Sequence, residues 1–136
     1  MNDLLSYHKK NEMKIKNSDV VKENDEIILT HVGTKKNLHS HNHQSEITHQ
    51  QEVSCFGNNG KGDNGDIWIV ESESKKGWKL DEFVRLKHRE TGKWLNCNPS
   101  SKYGGPVSGH SEITAIPSKP ENTKWKAAEG FYFPAN

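Results

Sequence analysis

Long apolar runs are missing from this 136-residue chain. The longest is Ile67-Trp68-Ile69-Val70, far short of the roughly 20 residues that a helical membrane span needs. The opening residues, Met1-Asn2-Asp3-Leu4-Leu5, hold no apolar stretch of the roughly 7–15 residues that make a signal peptide. The last residues, Phe133-Pro134-Ala135-Asn136, are no retention tetrapeptide. Arginine is nearly absent: Arg85 and Arg89 are the two, and every other basic residue is lysine. Net charge is close to nil, with 19 basic against 18 acidic residues. Nucleic-acid binding wants a positive footprint and base readout favours the forked guanidinium, so both shortages argue against it. Cysteine is scarce as well. Cys55 and Cys97 allow one disulfide or none, and they read as two small, half-buried thiols. Hydrophobic residues make up 30% of the chain and mean hydropathy is -0.99, close to the composition of a disordered polymer. Disorder usually brings a large net charge and few aromatics. Four Trp, three Tyr and four Phe in a near-neutral chain point instead to a fold that places few large side chains with care.

What the chain does have is an internal repeat. Leu29-Thr30-His31-Val32-Gly33-Thr34-Lys35-Lys36-Asn37-Leu38-His39 lies over Leu86-Lys87-His88-Arg89-Glu90-Thr91-Gly92-Lys93-Trp94-Leu95-Asn96, an offset of 57 from His31 to His88. Ile47 to Val53 then lies over Val107 to Ile113 at an offset of 60, and Trp68 meets Trp125 back at 57. Each copy reads as four short strands between turns rich in Gly, Asn and Pro. The expected strands are 27–31, 38–41, 53–56 and 67–70, then 84–88, 94–97, 113–116 and 125–127. No window holds helical apolar spacing over three turns, so helix content should be low. Four-stranded units of about 50 residues, each turning a few apolar residues inward, suggest an all-β fold, the β-trefoil. The expected core is Ile28, Leu29, Leu38, Val53, Phe56, Trp68, Val70, Val84, Leu86, Leu95, Val107, Ile113, Trp125 and Phe131.

These motifs carry a family resemblance. Leu29-Thr30-His31 followed by Asn37-Leu38-His39-Ser40-His41 resembles the hallmark of MIR domains, the β-trefoils shared by protein O-mannosyltransferases, inositol trisphosphate and ryanodine receptors, and stromal cell-derived factor 2-like proteins. Gln51-Glu52-Val53 with Cys55-Phe56-Gly57 is similar to the second signature. The glycine-rich run from Phe56 through Lys61, Asp63 and Asp66 to Trp68, and the segment Trp125 to Phe131, look like features of the stromal cell-derived factor 2 branch. A trefoil needs three repeats, and two are recognisable, at about 26–74 and 82–133 of a trefoil region spanning 26–134. Residues 1–25 read as a remnant or extension in which Tyr7 and the segment 13–21 supply one or two strands. The expectation is therefore a trefoil whose first repeat is missing or incomplete, with exposed strand edges that favour oligomerisation. The resemblance implies the endoplasmic reticulum lumen, a J-domain cochaperone, a BiP-type chaperone and glycosylated clients. It implies surface recognition through Lys61, Asp63 and Asp66.

The remaining chemistry is weak. His39, His41 and His43 alternate, so on a strand they share one face, and three imidazoles suit zinc or copper. No acidic or thiolate ligand sits at matching spacing, so the reading is no metal, with the histidines as hydrogen-bonding residues. Asp63-Asn64-Gly65-Asp66 lacks the alternating ligands and twelfth-position Glu of a calcium loop. No serine lies in a strained elbow and no nucleophile has a base beside it, which argues for no enzyme, no catalytic residue and no cofactor. Trefoils often bind sugars on aromatic platforms; here Trp78, Trp94 and Tyr103 would stack a pyranose, with Asn96 and Asn98 as hydrogen-bonding groups.

Overall fold

The structure, a computed structural model, describes residues 20–128. Eight strands form one antiparallel sheet: β1 (Glu26–Ile27), β2 (Thr30–His31), β3 (Lys36–Gln44), β4 (Gln51–Phe56), β5 (Trp68–Ser72), β6 (Val84–His88), β7 (Trp94–Lys102) and β8 (Ser111–Ile116). No α-helix occurs among the described residues; three short 3-10 turns at Asn64–Asp66, Gly105–Val107 and Glu121–Thr123 complete the inventory. The strand order is β1-β5-β6-β7-β8-β4-β3-β2, so the two ends of the sheet are consecutive in the chain. A flat sheet of that order would hold its ends about 34 Å apart at strand spacings near 4.8 Å. Ile27 and Thr30 can be at most about 11 Å apart. The sheet must curl until its edges meet at this interrupted strand.

The repeat is visible in hydrogen bonds. Trp68 Nε1 donates to the Leu38 carbonyl at 3.0 Å, and Trp125 Nε1 donates to the Leu95 carbonyl at 3.0 Å. His31 Nδ1 pairs with Thr34 Oγ1 at 2.8 Å, as His88 Nδ1 does with Thr91 Oγ1. The hairpins β3–β4 and β7–β8 both break register, between Ser40 and Gln44 and between Asn98 and Lys102.

Most of the expected strands are present, and the differences have local causes. The strand expected at 27–31 divides at Ile28-Leu29, because its two halves pair with different neighbours, β5 and β3. The strand expected at 125–127 reduces to a bridge, in which Val84 and Trp125 exchange backbone hydrogen bonds at 2.8 Å each way. The core proper is Trp68, Val70, Val84, Leu86 and Leu95, with Leu29, Leu38, Val53, Ile113 and Trp125 packed against it, as expected, along with Val21, Ile27 and Trp78. Ile28 lies outside at 51% exposure. Alternation permits Ile27 and Leu29 to face inward only if Ile28 faces out. Val107 is exposed on a 3-10 turn, and Phe56 ends β4 and stacks on His39 with centroids 4.6 Å apart. Phe131, Tyr7 and residues 13–19 lie outside the described residues. Cys55 and Cys97 are both free thiols.

The small apolar content is matched by an unusually polar interior. Asn37, His39, Ser40, Gln51, Asp66, His88, Asn96, Glu112 and Thr114 are all buried. Burying such groups is tolerable only when they are hydrogen-bonded. Glu112 illustrates the solution: its carboxylate accepts from the backbone N–H of Ile47 at 2.7 Å, the Thr48 N–H and the Thr48 hydroxyl, tying the turn after β3 to β8. Burial alone would raise its pKa, but those donors outweigh it and hold the carboxyl below its ordinary value.

Candidate functional site

The densest gathering of chemically capable side chains lies where β3 meets the loop leading to β5. Strand alternation puts Asn37, His39 and His41 of β3 on one face. The glycine-rich loop folds over that face. Asp63 caps the 3-10 turn Asn64–Asp66, its carboxylate accepting from Gly65 N–H at 2.8 Å, while Asp66 reaches back to the Asp63 N–H at 3.2 Å. This reciprocal cap turns the Asp66 carboxylate inward. There it also accepts from Asn37 Nδ2 at 3.0 Å and faces His39 Nδ1 at 2.7 Å. The glycines are required by close approach: a Cβ at Gly62 would collide with the Asp66 carboxylate, and one at Gly65 with the His39 ring. His88 anchors the loop from below. Its Nε2 hydrogen bonds the Gly65 carbonyl at 2.9 Å. Burial pushes the His88 pKa down, although that carbonyl opposes the shift.

From Asp66 the contacts continue outward in a chain. His39 Nε2 lies 3.2 Å from His41 Nδ1, and His41 Nε2 lies 3.2 Å from Glu52 Oε1. His43 follows, its ring edge-on to His41 at 5.5 Å. A cleft of about 320 Å³ opens beside the two rings, lined further by Asp63, Asn64 and Glu90. His39, Asp63 and Asp66 bring three potential ligand atoms within 4.8 Å. The oxygens of that trio are already engaged, however, by Asn37, the Asp63 and Gly65 N–H groups and His39 itself.

The structure sorts the sequence-derived candidates. Lys61 and Asp63 stand exposed on the loop, as a contact surface requires. Asp66 does not: at 1% exposure it is a positioning residue, and the expectation that it meets a partner is corrected by the cap that turns it inward. Among the family-motif residues, Leu38 accepts from Trp68, Ser40 Oγ donates to the Glu52 carbonyl at 2.6 Å, and Gln51 Nε2 donates to Ser40 Oγ at 2.8 Å and Thr91 Oγ1 at 2.9 Å. Val53 packs on the core.

The residues suggested for glycan stacking do not converge. Trp94 is 9% exposed, with Lys119 Nζ 4.4 Å above its ring, in a cleft shared with Glu71 and Lys87. Trp78 packs against the core. Asn96 Nδ2 donates to Asn98 Oδ1 at 2.8 Å, and Asn98 Nδ2 to Gln50 Oε1 at 3.1 Å. Tyr103 is partly buried, and burial together with Glu112, Glu46 and Glu52 raises its pKa. Sequence reasoning gave no individual site role to Asn37, His88, Glu90 or Glu112, although Asn37 stands in the hallmark motif and the repeat alignment places His88 over His31 and Glu112 over Glu52.

Comparison with known proteins agrees with this architecture. The family model of the MIR domain matches residues 5–119. A stromal cell-derived factor 2-like protein of Dictyostelium discoideum is 54% identical over 114 residues, covering 84% of this chain and 54% of that protein. Stromal cell-derived factor 2-like protein 1 of Homo sapiens is 39% identical over 104 residues, 76% of this chain and 46% of that protein. The chain thus spans about half the length of these relatives. The crystal structure of the stromal cell-derived factor 2-like protein from Arabidopsis thaliana superposes with a TM-score of 0.78 at 43% identity, covering 89% of this chain and 67% of that one. The S. cerevisiae protein O-mannosyltransferase complex bound to the sugar donor matches with a TM-score of 0.72 at 29% identity, over 79% of this chain and 17% of that one.

Proposed function

The chain belongs to the MIR-domain family, and from that premise we propose that it acts without catalysis, as a recognition module in the quality control of secretory proteins. The partners are a J-domain cochaperone and a BiP-type chaperone in the endoplasmic reticulum lumen, with glycosylated clients. The observation that carries this reading is the loop at residues 57–66. A reciprocal cap, close-packed glycines and His88 hold it in one shape, and it presents Lys61, Asp63 and Asn64 to solvent. A preorganised polar surface costs little ordering entropy on binding. Exposed charges of mixed sign tune encounter rate and specificity more than raw affinity.

The test is surface plasmon resonance against a purified J-domain cochaperone. The double substitution Lys61→Glu with Asp63→Lys should weaken binding about tenfold, chiefly through the association rate. Unchanged binding, with an unchanged circular dichroism spectrum, would sink the loop as the contact surface.

Likeness to the mannosyltransferase complex supports a second reading, recognition of mannose or an O-mannosyl glycan. In this chain Trp94 is capped by Lys119, and Asn96 and Asn98 are engaged with each other. A sugar would have to displace those contacts. Mannose that elutes the chain from its partners favours the glycan reading; complexes that survive mannose favour the first.

A further inference from the structure

With both imidazoles neutral, the contact chain beside the loop has one hydrogen fewer than it has gaps, and its counterpart in the second repeat does not. Asp66 is buried and accepts from Asn37 and Asp63, so the carboxylate oxygen facing His39 calls for a hydrogen on Nδ1. That leaves Nε2 of the neutral ring as a lone pair. At the other end, Glu52 Oε1 calls for a hydrogen on His41 Nε2, which leaves His41 Nδ1 as a lone pair too. The two lone pairs face each other at 3.2 Å. Between Asp66 and Glu52 there are three gaps, and two neutral imidazoles bring two hydrogens.

At the repeat offset of 57, His39 and His41 become Asn96 and Asn98, and at the offset of 60 Glu52 is replaced by Glu112. The same chain recurs there. Asn96 Nδ2 donates to Asn98 Oδ1 at 2.8 Å, and Asn98 Nδ2 reaches Glu112 Oε1 at 3.4 Å. Each amide carries both a donor and an acceptor, so this chain runs on its own hydrogens, with Asn96 Oδ1 left over. The first repeat has imidazoles in the same positions, and that exchange opens a gap between two nitrogens.

We propose that this gap is a binding site for a divalent transition-metal ion of the zinc class, held by His39 Nε2 and His41 Nδ1. Imidazole nitrogens bind zinc at about 2.0–2.1 Å, so two of them on one tetrahedral ion lie about 3.3 Å apart, close to the separation here. Each ligand ring has a carboxylate behind it, Asp66 or Glu52, the arrangement that fixes a metal-binding tautomer and raises its basicity. The His41 side chain is 48% exposed and the adjoining cleft admits the ion with water. Asp63 and Glu90, which line that cleft, add negative potential. The expectation of no metal rested on the lack of an acidic or thiolate ligand at matching spacing, and the carboxylates of this site support the rings instead of ligating. Here they come from residues 27 and 11 positions away.

The test is isothermal titration of zinc chloride into micromolar protein. Saturable one-to-one binding is expected. His41→Asn installs the second repeat's residue on an exposed part of β3, and it should weaken binding at least tenfold while leaving the circular dichroism spectrum unchanged. Glu52→Gln, which touches no ligand atom, should weaken it about 10- to 100-fold. Absence of saturable zinc binding by the unaltered chain overturns the proposal, since a proton then fills the gap. Binding of equal strength in His41→Asn also overturns it, because the ion then sits elsewhere.

Discussion

Asp66 shows how much one buried carboxylate can organise. It accepts from the Asp63 backbone within the loop and meets Asn37 and His39 of β3, and so joins β3 to the loop with two contacts. An amide of the same shape would turn a donor toward one of those donors. Asp66→Asn should therefore destabilise the fold by about 1–3 kcal/mol, read as a lowered urea midpoint with an unchanged slope. The neighbouring Asp63 is 59% exposed and also caps the 3-10 turn, so its loss should loosen the loop as well as change the surface a partner meets.

At the scale of elements, the two tryptophans 57 residues apart perform one task twice. Each indole N–H closes the carbonyl of a leucine on the long strand of its own repeat, Leu38 on β3 for Trp68 and Leu95 on β7 for Trp125. Phenylalanine at either place keeps most of the apolar bulk and strands that carbonyl. Trp68→Phe and Trp125→Phe should each cost about 1 kcal/mol from the lost hydrogen bond, with a further packing loss for the wholly buried Trp68. Chemical denaturation of both variants measures this. A Trp125→Phe protein as stable as the unaltered chain would show that the second repeat holds its indole only by packing. The hairpins carry the divergence between copies: β3 and β7 share a backbone path while one offers imidazoles and the other amides.

For the molecule as a whole, three buried or half-buried groups give the acid side of the stability curve one sign. His88 has a folded pKa below its ordinary value, because burial disfavours the imidazolium. Glu112 is also held low, by its donors against the effect of burial, and Glu71 likewise, by Lys119 and Lys75. A group with a lower pKa in the folded state binds fewer protons there than in the unfolded chain, so acid favours unfolding. Stability should be flat from about pH 7 up to the tyrosine range, where the raised pKa of Tyr103 makes it fall again. On the acid side it should begin to fall as pH drops through the ordinary imidazole value near 6.5, and fall further below about 4.5. Urea midpoints measured across that range test the shape. In His88→Gln the upper leg should flatten while the lower one remains; an unchanged upper leg would assign it to another histidine.

How far this protein could be read from its residues depended on the range of the interaction. The repeat, the lack of α-helix among the described residues and most strand positions follow from local alternation and turn residues, which act over a few positions; Trp68, Val84 and Leu86 fall inside for that reason. Where alternation was ignored, at Ile28, the reading failed. The polar interior was not legible, because Glu112 meets Thr48 across 64 residues and His39 meets Asp66 across 27, distances set by how the sheet curls. Sequence alone thus determined the repeating strand pattern and the family. Tertiary structure decided that Asp66 faces inward, that Trp94 lies under Lys119, and that His39 and His41 turn ring nitrogens toward each other, since only the closed sheet brings their distant partners within hydrogen-bonding reach.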